Sequence, residues 1–218
     1  MIPIQYALRR RMMINVSKGL SISELPLGAL INIGTDGGAG TSNYEIADKD
    51  NLVSGGVVLV RKNIHSQSAF GSSSTYPGGT LDNKMTSIYN SLSERLQSKI
   101  MNVTFNLKDS GSITRKVFAP TYTMMRFGAN LGTAEGKALQ LYTSDASRIK
   151  TLNGSVTYWW LSSQYPSSGY PWYVHSSGSA YRNYYPSSTQ GAVPAFVIPS
   201  ETLYSVTPNT DGSYNLIL

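Results

Sequence analysis

The sequence contains no cysteine and only two histidines, His65 and His175. Without cysteine there are no disulfides, no thiolate metal site and no cysteine nucleophile, so stability has to come from packing and hydrogen bonds. Both histidines lie among serines, and neither has a neighbouring carboxylate to orient it. We therefore predict a protein that is not an enzyme, with no catalytic residue and no cofactor. The competing interpretation is a hydrolase or modifying enzyme that uses one of these histidines with a serine.

Long hydrophobic runs and dense acidic clusters are also missing. The apolar runs reach only a few residues, far below the roughly 20 that cross a bilayer, so we expect no membrane span. The 12 acidic residues form no EF-hand-like loop, and we predict no metal site. With 218 residues, 40% of them hydrophobic and 14% charged, the chain is long and apolar enough to bury one domain core.

The positive charge is concentrated near the N-terminus. Arg9, Arg10, Arg11 and Lys18 precede the first acid, Glu24, and the rest of the chain is nearly balanced. We interpret residues 1–20 as a basic anchoring arm that docks on a partner protein through Tyr6 and the three arginines. We do not expect nucleic acid as a partner, because the sequence has no nucleic-acid-binding motif and no wider basic face.

The first half of the chain has strand patterns followed by one strong helix pattern. Residues 30–33, 44–47 and 56–62 are predicted strands, and a flexible loop with three glycines is predicted for residues 35–42. From Asp82, with Asp82 or Asn83 as the N-cap, apolar residues recur every three or four positions and predict one helix that extends to residue 100. A weaker pattern indicates a second helix over residues 134–142, and residues 122–127 predict a short helical turn.

Strand patterns return after residue 151. Residues 156–161 and 195–198 are the clearest strands, with hairpin strands predicted between them over residues 170–174 and 179–185. The dipeptide Asp211-Gly212 is a strong turn signal, so the chain is predicted to end in a small hairpin.

The segment between those two clear strands is rich in tyrosine, tryptophan, serine and glycine, a composition typical of contact surfaces. It has too few aliphatic residues to bury all of its rings, so some should be exposed. The alternative is that these rings belong to the core or to a subunit interface, with Trp172 mostly buried. The predicted ligand-binding residues are Tyr165, Tyr170, Trp172, Tyr173, Tyr181, Arg182, Asn183, Tyr184, Tyr185 and Gln190.

The order of landmarks resembles an uncharacterised domain family of Firmicute bacteria and their phages. The resemblance covers about residues 22–200. Two positions depart from the family pattern, Ser162 and Val193, where the family usually has arginines. The stretches that resemble the family are Ile22-Ser23-Glu24-Leu25-Pro26-Leu27-Gly28-Ala29-Leu30-Ile31, Tyr44-Glu45-Ile46-Ala47-Asp48-Lys49-Asp50, Val57-Val58-Leu59-Val60, Ser68-Ala69-Phe70, the predicted helix from Asp82, Lys116-Val117-Phe118-Ala119-Pro120-Thr121-Tyr122, Glu135-Gly136, Tyr158-Trp159-Trp160-Leu161-Ser162-Ser163 and Gly191-Ala192-Val193-Pro194-Ala195-Phe196-Val197-Ile198.

The resemblance implies an α+β, C-type-lectin-like fold with mixed or antiparallel sheets, one main helix and one or two short helices. It implies a lectin-like domain over residues 21–200, followed by a hairpin or tail over residues 201–218. The same fold occurs in formylglycine-generating enzymes, but these need cysteines that this chain lacks. The N-terminal arm, in turn, resembles leaders of phage structural proteins.

Together these features predict a non-enzymatic phage virion protein, assembled in the bacterial cytoplasm and exposed on the particle. Its expected partners are other virion proteins, further copies of itself and a glycan or protein of the host surface. The alternative is a capsid or tail decoration protein that has no host ligand.

Overall fold

The structure, a computed structural model, describes residues 19–165 and 169–218. Most of the predicted arm, including Tyr6, Arg9, Arg10 and Arg11, lies outside the described residues. The helical elements are a 3₁₀ turn (Ile22–Glu24), α1 (Thr80–Ser91), α2 (Glu94–Lys99) and α3 (Asp145–Arg148). The strands are β1 (Leu20–Ser21), β2 (Leu30–Asn32), β3 (Asn43–Lys49), β4 (Gly56–Arg61), β5 (Ser66–Ala69), β6 (Val103–Leu107), β7 (Gly111–Arg115), β8 (Val117–Phe118), β9 (Thr151–Leu152), β10 (Ser155–Val156), β11 (Trp159–Tyr165), β12 (Tyr170–Val174), β13 (Ala180–Tyr181), β14 (Thr189–Ala192), β15 (Ala195–Pro199), β16 (Leu203–Tyr204) and β17 (Tyr214–Ile217).

The described residues form four sheets, two of which are the two-stranded pairs β6-β7 and β9-β10. The largest sheet, called the main sheet, has the strand order β1-β16-β17-β2-β3-β4-β15-β8. The interior strand β4 pairs with β3 and β15, and its residues Val57 to Val60 are buried. A continuous β-branched run suits this position because both faces of the strand are covered. The strands predicted at residues 30–33, 44–47, 56–62 and 195–198 are confirmed.

The five-stranded sheet, called the second sheet, has the order β13-β12-β11-β14-β5. Strand β11 lies in its middle, antiparallel to β12 and parallel to β14. The strand predicted at residues 156–161 begins only at Trp159 and continues to Tyr165, and β12 matches its predicted bounds. Strand β13 is shorter than predicted and forms one edge of the sheet, so one side of β13 has no neighbouring strand among the described residues.

The single helix predicted from Asp82 to residue 100 is wrong in one respect, because the structure divides it into α1 and α2. The apolar positions do face the core as predicted, and Tyr89 is partly buried. The Ser93 side chain accepts a hydrogen bond from the Leu96 backbone and so begins α2. The N-cap of α1 is Gly79 rather than Asp82 or Asn83, because the helix begins at Thr80 and Asp82 lies in its first turn. The Asp82 carboxylate accepts from the Gly78 backbone at 2.9 Å and pairs with Arg115 at 2.6 Å.

The helix predicted over residues 134–142 is absent, since these described residues have no regular structure. Glu135 is buried there and Gly136 has φ 86°, a conformation that ends any helix. The short helical turn predicted after Pro120 is present, with the Met125 backbone donating to the Thr121 carbonyl at 3.1 Å. A side-chain network, rather than helical propensity, fixes the segment around Glu135.

The terminal hairpin is confirmed, with β16 and β17 antiparallel. It is also part of the main sheet, because β17 pairs in parallel with β2. The described residues therefore form an α+β fold made mostly of mixed sheets, as predicted. Among residues 19–165 and 169–218, no helix has the length and apolar character needed for a membrane span.

Candidate ligand-binding cleft

A cleft of about 460 Å³ lies at the β13 edge of the second sheet. Its lining consists of Trp172 from β12, Ala180 and Tyr181 from β13, and Arg182 and Asn183 directly after β13. Four of these five residues belong to the predicted binding set. The cleft forms here because β13 is short and has no further strand beyond it among the described residues.

One wall carries a group that we call the arginine cluster, made of Tyr122, Tyr165, Trp172 and Arg182. The guanidinium carbon of Arg182 lies 3.6 Å from the centre of the Tyr165 ring and 5.2 Å from that of Trp172. The Tyr122 and Trp172 ring centres are 4.5 Å apart, and the Trp172 indole donates to Asn130 Oδ1 at 3.2 Å. Burial raises the pKa of Tyr122, although the nearby Arg182 charge opposes this rise. These contacts hold a cation over two aromatic faces.

The other face of the β12–β13 hairpin carries a tyrosine cluster. Tyr173 pairs with Tyr181 across the two strands, and Tyr184 lies 5.0 Å from Tyr173 between ring centres. Burial and the neighbouring tyrosines raise the pKa of Tyr173 to about 12. The Tyr173 hydroxyl donates to Asn183 Oδ1 at 2.5 Å, so this cluster orients a residue of the cleft. The members of the tyrosine cluster are Tyr158, Tyr173, His175, Tyr181 and Tyr184.

Comparison with protein families gives a match over residues 54–200, about two thirds of the chain, to a domain of unknown function, DUF6273. This chain belongs to the DUF6273 family. The predicted membership of an uncharacterised domain family is thereby confirmed. Comparison with curated proteins and with solved structures gave no match.

The residues that line the cleft all lie within the DUF6273 range, as do the arginine and tyrosine clusters. Strands β2, β3, β16 and β17 lie outside that range and extend the main sheet. The cleft is therefore a feature of the DUF6273 portion of the chain.

The remaining predicted residues lie away from the cleft lining. Tyr170 and Tyr185 contact each other, with ring centres 5.5 Å apart, and Tyr185 is 66% exposed. Gln190 is on β14, which β11 separates from β12. Tyr173 is 2% exposed and belongs to the core, so it supports the cleft without offering a surface.

Sequence reasoning missed Tyr122 and Ala180. Tyr122 comes from a turn far from the aromatic segment in sequence, and no local pattern connects it to Trp172. Ala180 is a small residue beside Tyr181, and it lines the cleft because β13 forms its edge.

The histidines of this DUF6273 protein occupy different environments. His65 is buried, its Nε2 lies 2.9 Å from the Asp36 carbonyl oxygen, and its Nδ1 lies 2.9 Å from Ser66 Oγ. Burial lowers the pKa of His65. A shallow cleft of about 150 Å³ is lined by His65 but not by Ser66. His175 instead stacks on Tyr158 at 4.6 Å between ring centres.

Glu135 is buried near the arginine cluster, where it accepts hydrogen bonds but pairs with no cation of residues 19–165 and 169–218. Its Oε1 accepts from the Lys108 backbone at 3.0 Å and from Asn130 Nδ2 at 3.1 Å, and its Oε2 accepts from the Ser163 hydroxyl. Burial raises the pKa of Glu135 although these hydrogen bonds oppose the rise. Asn130 connects this group to Trp172, so Glu135 supports one wall of the cleft.

No cluster of three or more histidine, aspartate or glutamate side chains is placed to hold a metal ion in the part of the chain that the structure describes. The cleft itself presents aromatic rings, a guanidinium and an amide. These groups suit recognition by stacking and hydrogen bonding.

Proposed function

We propose that this DUF6273 protein is a non-enzymatic bacteriophage virion protein that attaches to the host surface, with a glycan or a protein as ligand. Its lectin-like domain would be displayed outward, and its N-terminal arm would dock on other virion proteins. Many copies on one particle would strengthen a weak single site, because effective concentration multiplies modest affinity.

The observation that carries the proposal is the cleft at the open edge of β13. Trp172 and Tyr181 contribute aromatic surface to it, and Arg182 and Asn183 contribute hydrogen-bond donors. Tyr181 is 46% exposed even though its ring contacts Tyr173 and His175. Aromatic surface beside a few oriented polar groups is typical of a recognition site. The virion location and the lectin-like fold are supported by the sequence resemblance.

The test compares two exposed tyrosines of the same segment. Tyr181→Ala removes a residue that lines the cleft, and Tyr185→Ala removes one that does not. We expect the purified full chain to bind host cells or their isolated surface glycans. Tyr181→Ala should reduce that binding about tenfold, and Tyr185→Ala should leave it unchanged. Equal binding by all three proteins would show that the cleft is not the attachment site.

A decoration role without a host ligand is the second candidate, and a separate surface favours it. Leu203 and Ile217 pair across β16 and β17 and are 37% and 48% exposed, with Val206 nearby in sequence also exposed. Exposed aliphatic residues that lie together often mark protein contacts. If this surface joins subunits, Leu203→Asp should dissociate the assembly in sedimentation velocity while host binding by single copies persists.

A further inference from the structure

Two side chains of the cleft, Arg182 and Asn183, carry N–H groups for which the described residues supply no acceptor. Within residues 19–165 and 169–218, Arg182 forms no ion pair and donates no hydrogen bond, although its guanidinium packs on Tyr165 and Trp172. The lining residues also include no acid. The cation is thus held by rings, and its N–H groups are left for another partner.

Asn183 adds a second donor. Its Oδ1 accepts from the Tyr173 hydroxyl, which turns its Nδ2 group away from that bond. Among the described residues, no acceptor for Asn183 Nδ2 is found. The Trp172 indole N–H already donates to Asn130 and is not free for a ligand. Arg182 and Asn183, which both line the cleft, therefore each offer N–H groups to a ligand there.

We infer that the cleft binds an anionic saccharide, whose carboxylate or phosphate is held by Arg182 and Asn183 while a sugar face lies against Trp172 or Tyr181. A guanidinium presents a planar fork of donors that matches two oxygens of either anion. Packing on the two rings fixes that plane before the ligand arrives, so little side-chain entropy is lost on binding. This inference rests on the proposed function and specifies its ligand.

The experiment uses the purified full chain and pairs of saccharides that differ only in charge. One pair is hexagalacturonic acid and its methyl ester, and the other is a phosphorylated mannan oligosaccharide and its dephosphorylated form. Binding is measured by isothermal titration calorimetry. Tryptophan fluorescence is followed in parallel, because Trp172 lines the cleft while Trp159 and Trp160 are fully buried.

We expect the charged member of at least one pair to bind about 10- to 100-fold more tightly than its neutral partner, as for a charge-assisted hydrogen bond. The pair that shows the difference identifies the carboxylate or the phosphate. Arg182→Gln should abolish the difference, and Arg182→Lys should retain part of it, since lysine keeps the charge but loses the fork. Arg95→Gln removes an exposed arginine of α2 outside the cleft and should change nothing.

Equal affinity for the charged and neutral members, unchanged in Arg182→Gln, would overturn the inference while saccharide binding still stood. If none of the four saccharides binds, the inference fails together with the glycan form of the proposed function. Circular dichroism and thermal unfolding of each variant show whether a loss of binding comes from the cleft or from the fold.

Discussion

Arg61 donates from Nε to Asp36 Oδ2 over 2.6 Å, and both side chains are fully buried. The Tyr44 hydroxyl also donates to Oδ2, at 2.9 Å, and the Gly38 backbone donates to Oδ1 at 2.9 Å. Burial alone would raise the pKa of Asp36, but the hydrogen bond and charge of Arg61 outweigh it and lower that pKa. This pair anchors the loop over residues 35–42 to β4.

Removing both members of this pair should destabilise the fold by less than the two single removals added together. Asp36→Asn leaves Arg61 buried without a counter-charge, and we expect a loss of about 3–5 kcal/mol in the free energy of unfolding. The double variant Asp36→Asn with Arg61→Met should lose less than the sum of the two single variants. Urea denaturation at neutral pH measures all four proteins.

The pH dependence provides a check on the same pair. A lowered folded pKa means that Asp36 stabilises the protein above the usual aspartate pKa, and this contribution disappears as the pH falls through the folded value. Asp36→Asn should remove that acid-sensitive part. The anchoring of the loop by this pair would be contradicted by two results together. The losses in the free energy of unfolding of the two single variants would add up to that of the double variant, and Asp36→Asn would lose stability at low pH in the same way as the wild type.

Glu135 should give the opposite pH dependence. Burial raises its folded pKa, so its carboxylate costs stability once the pH rises above the usual glutamate value of about 4.3. We expect the free energy of unfolding of the wild type, relative to Glu135→Gln, to increase as the pH is lowered from about 8 toward 5. Glu201→Gln, at an exposed position, is the matched control and should show no such trend. A constant difference between wild type and Glu135→Gln across this range would refute the assignment.

The tyrosines of the aromatic segment should separate into core and surface residues. Tyr173→Ala removes a buried ring and should cost about 3–5 kcal/mol of stability, as for other large aromatic deletions. Tyr185→Ala removes a ring that is 66% exposed and should stay within about 0.5 kcal/mol of the wild type. Thermal and urea unfolding measure both variants, and similar losses would show that Tyr185 is packed more closely than its exposure indicates.

Gly178 limits how closely the β12–β13 hairpin can approach the rest of the protein. Its φ is 87°, and a Cβ placed there would lie 1.9 Å from the Asp145 carbonyl oxygen. We expect Gly178→Ala to cost more than about 3 kcal/mol and to reduce binding in the cleft, because β13 has to move.

Gly212→Ala is the control for this substitution. Its φ is 79° but nothing lies within 4 Å of the added atom, so only backbone strain of about 1 kcal/mol is expected. Equal unfolding midpoints for the two variants would mean that the contact with Asp145 does not constrain the hairpin.

Local sequence patterns were sufficient to predict an element where one spacing of apolar residues, or one turn motif, extends over the whole element. The β-branched run of β4, the helical spacing of α1 and the Asp211-Gly212 turn were each predicted, because their signals depend on residues close in the chain. The break between α1 and α2 was missed, because the helical spacing of apolar residues continues past Ser93. Only the N-cap hydrogen bond of Ser93 marks the start of a separate helix there. The loop over residues 35–42 was predicted to be flexible, but its residue Asp36 is anchored by Arg61. That partner lies 25 residues away in the sequence, so no pattern within the loop indicates it.

For the site, composition alone identified a segment with more rings than it could bury, and four of the residues predicted there, Trp172, Tyr181, Arg182 and Asn183, line the cleft. The tertiary structure decided which rings were buried and which polar groups of the cleft had no partner among the described residues. Strand pairing places Trp172 and Tyr173 on opposite faces of one hairpin, and the edge position of β13 leaves the cleft open. These outcomes depend on contacts between residues far apart in the chain, such as Tyr122 with Trp172. No local sequence pattern encodes them, because cross-strand side-chain pairs stabilise the protein only once the sheets are assembled.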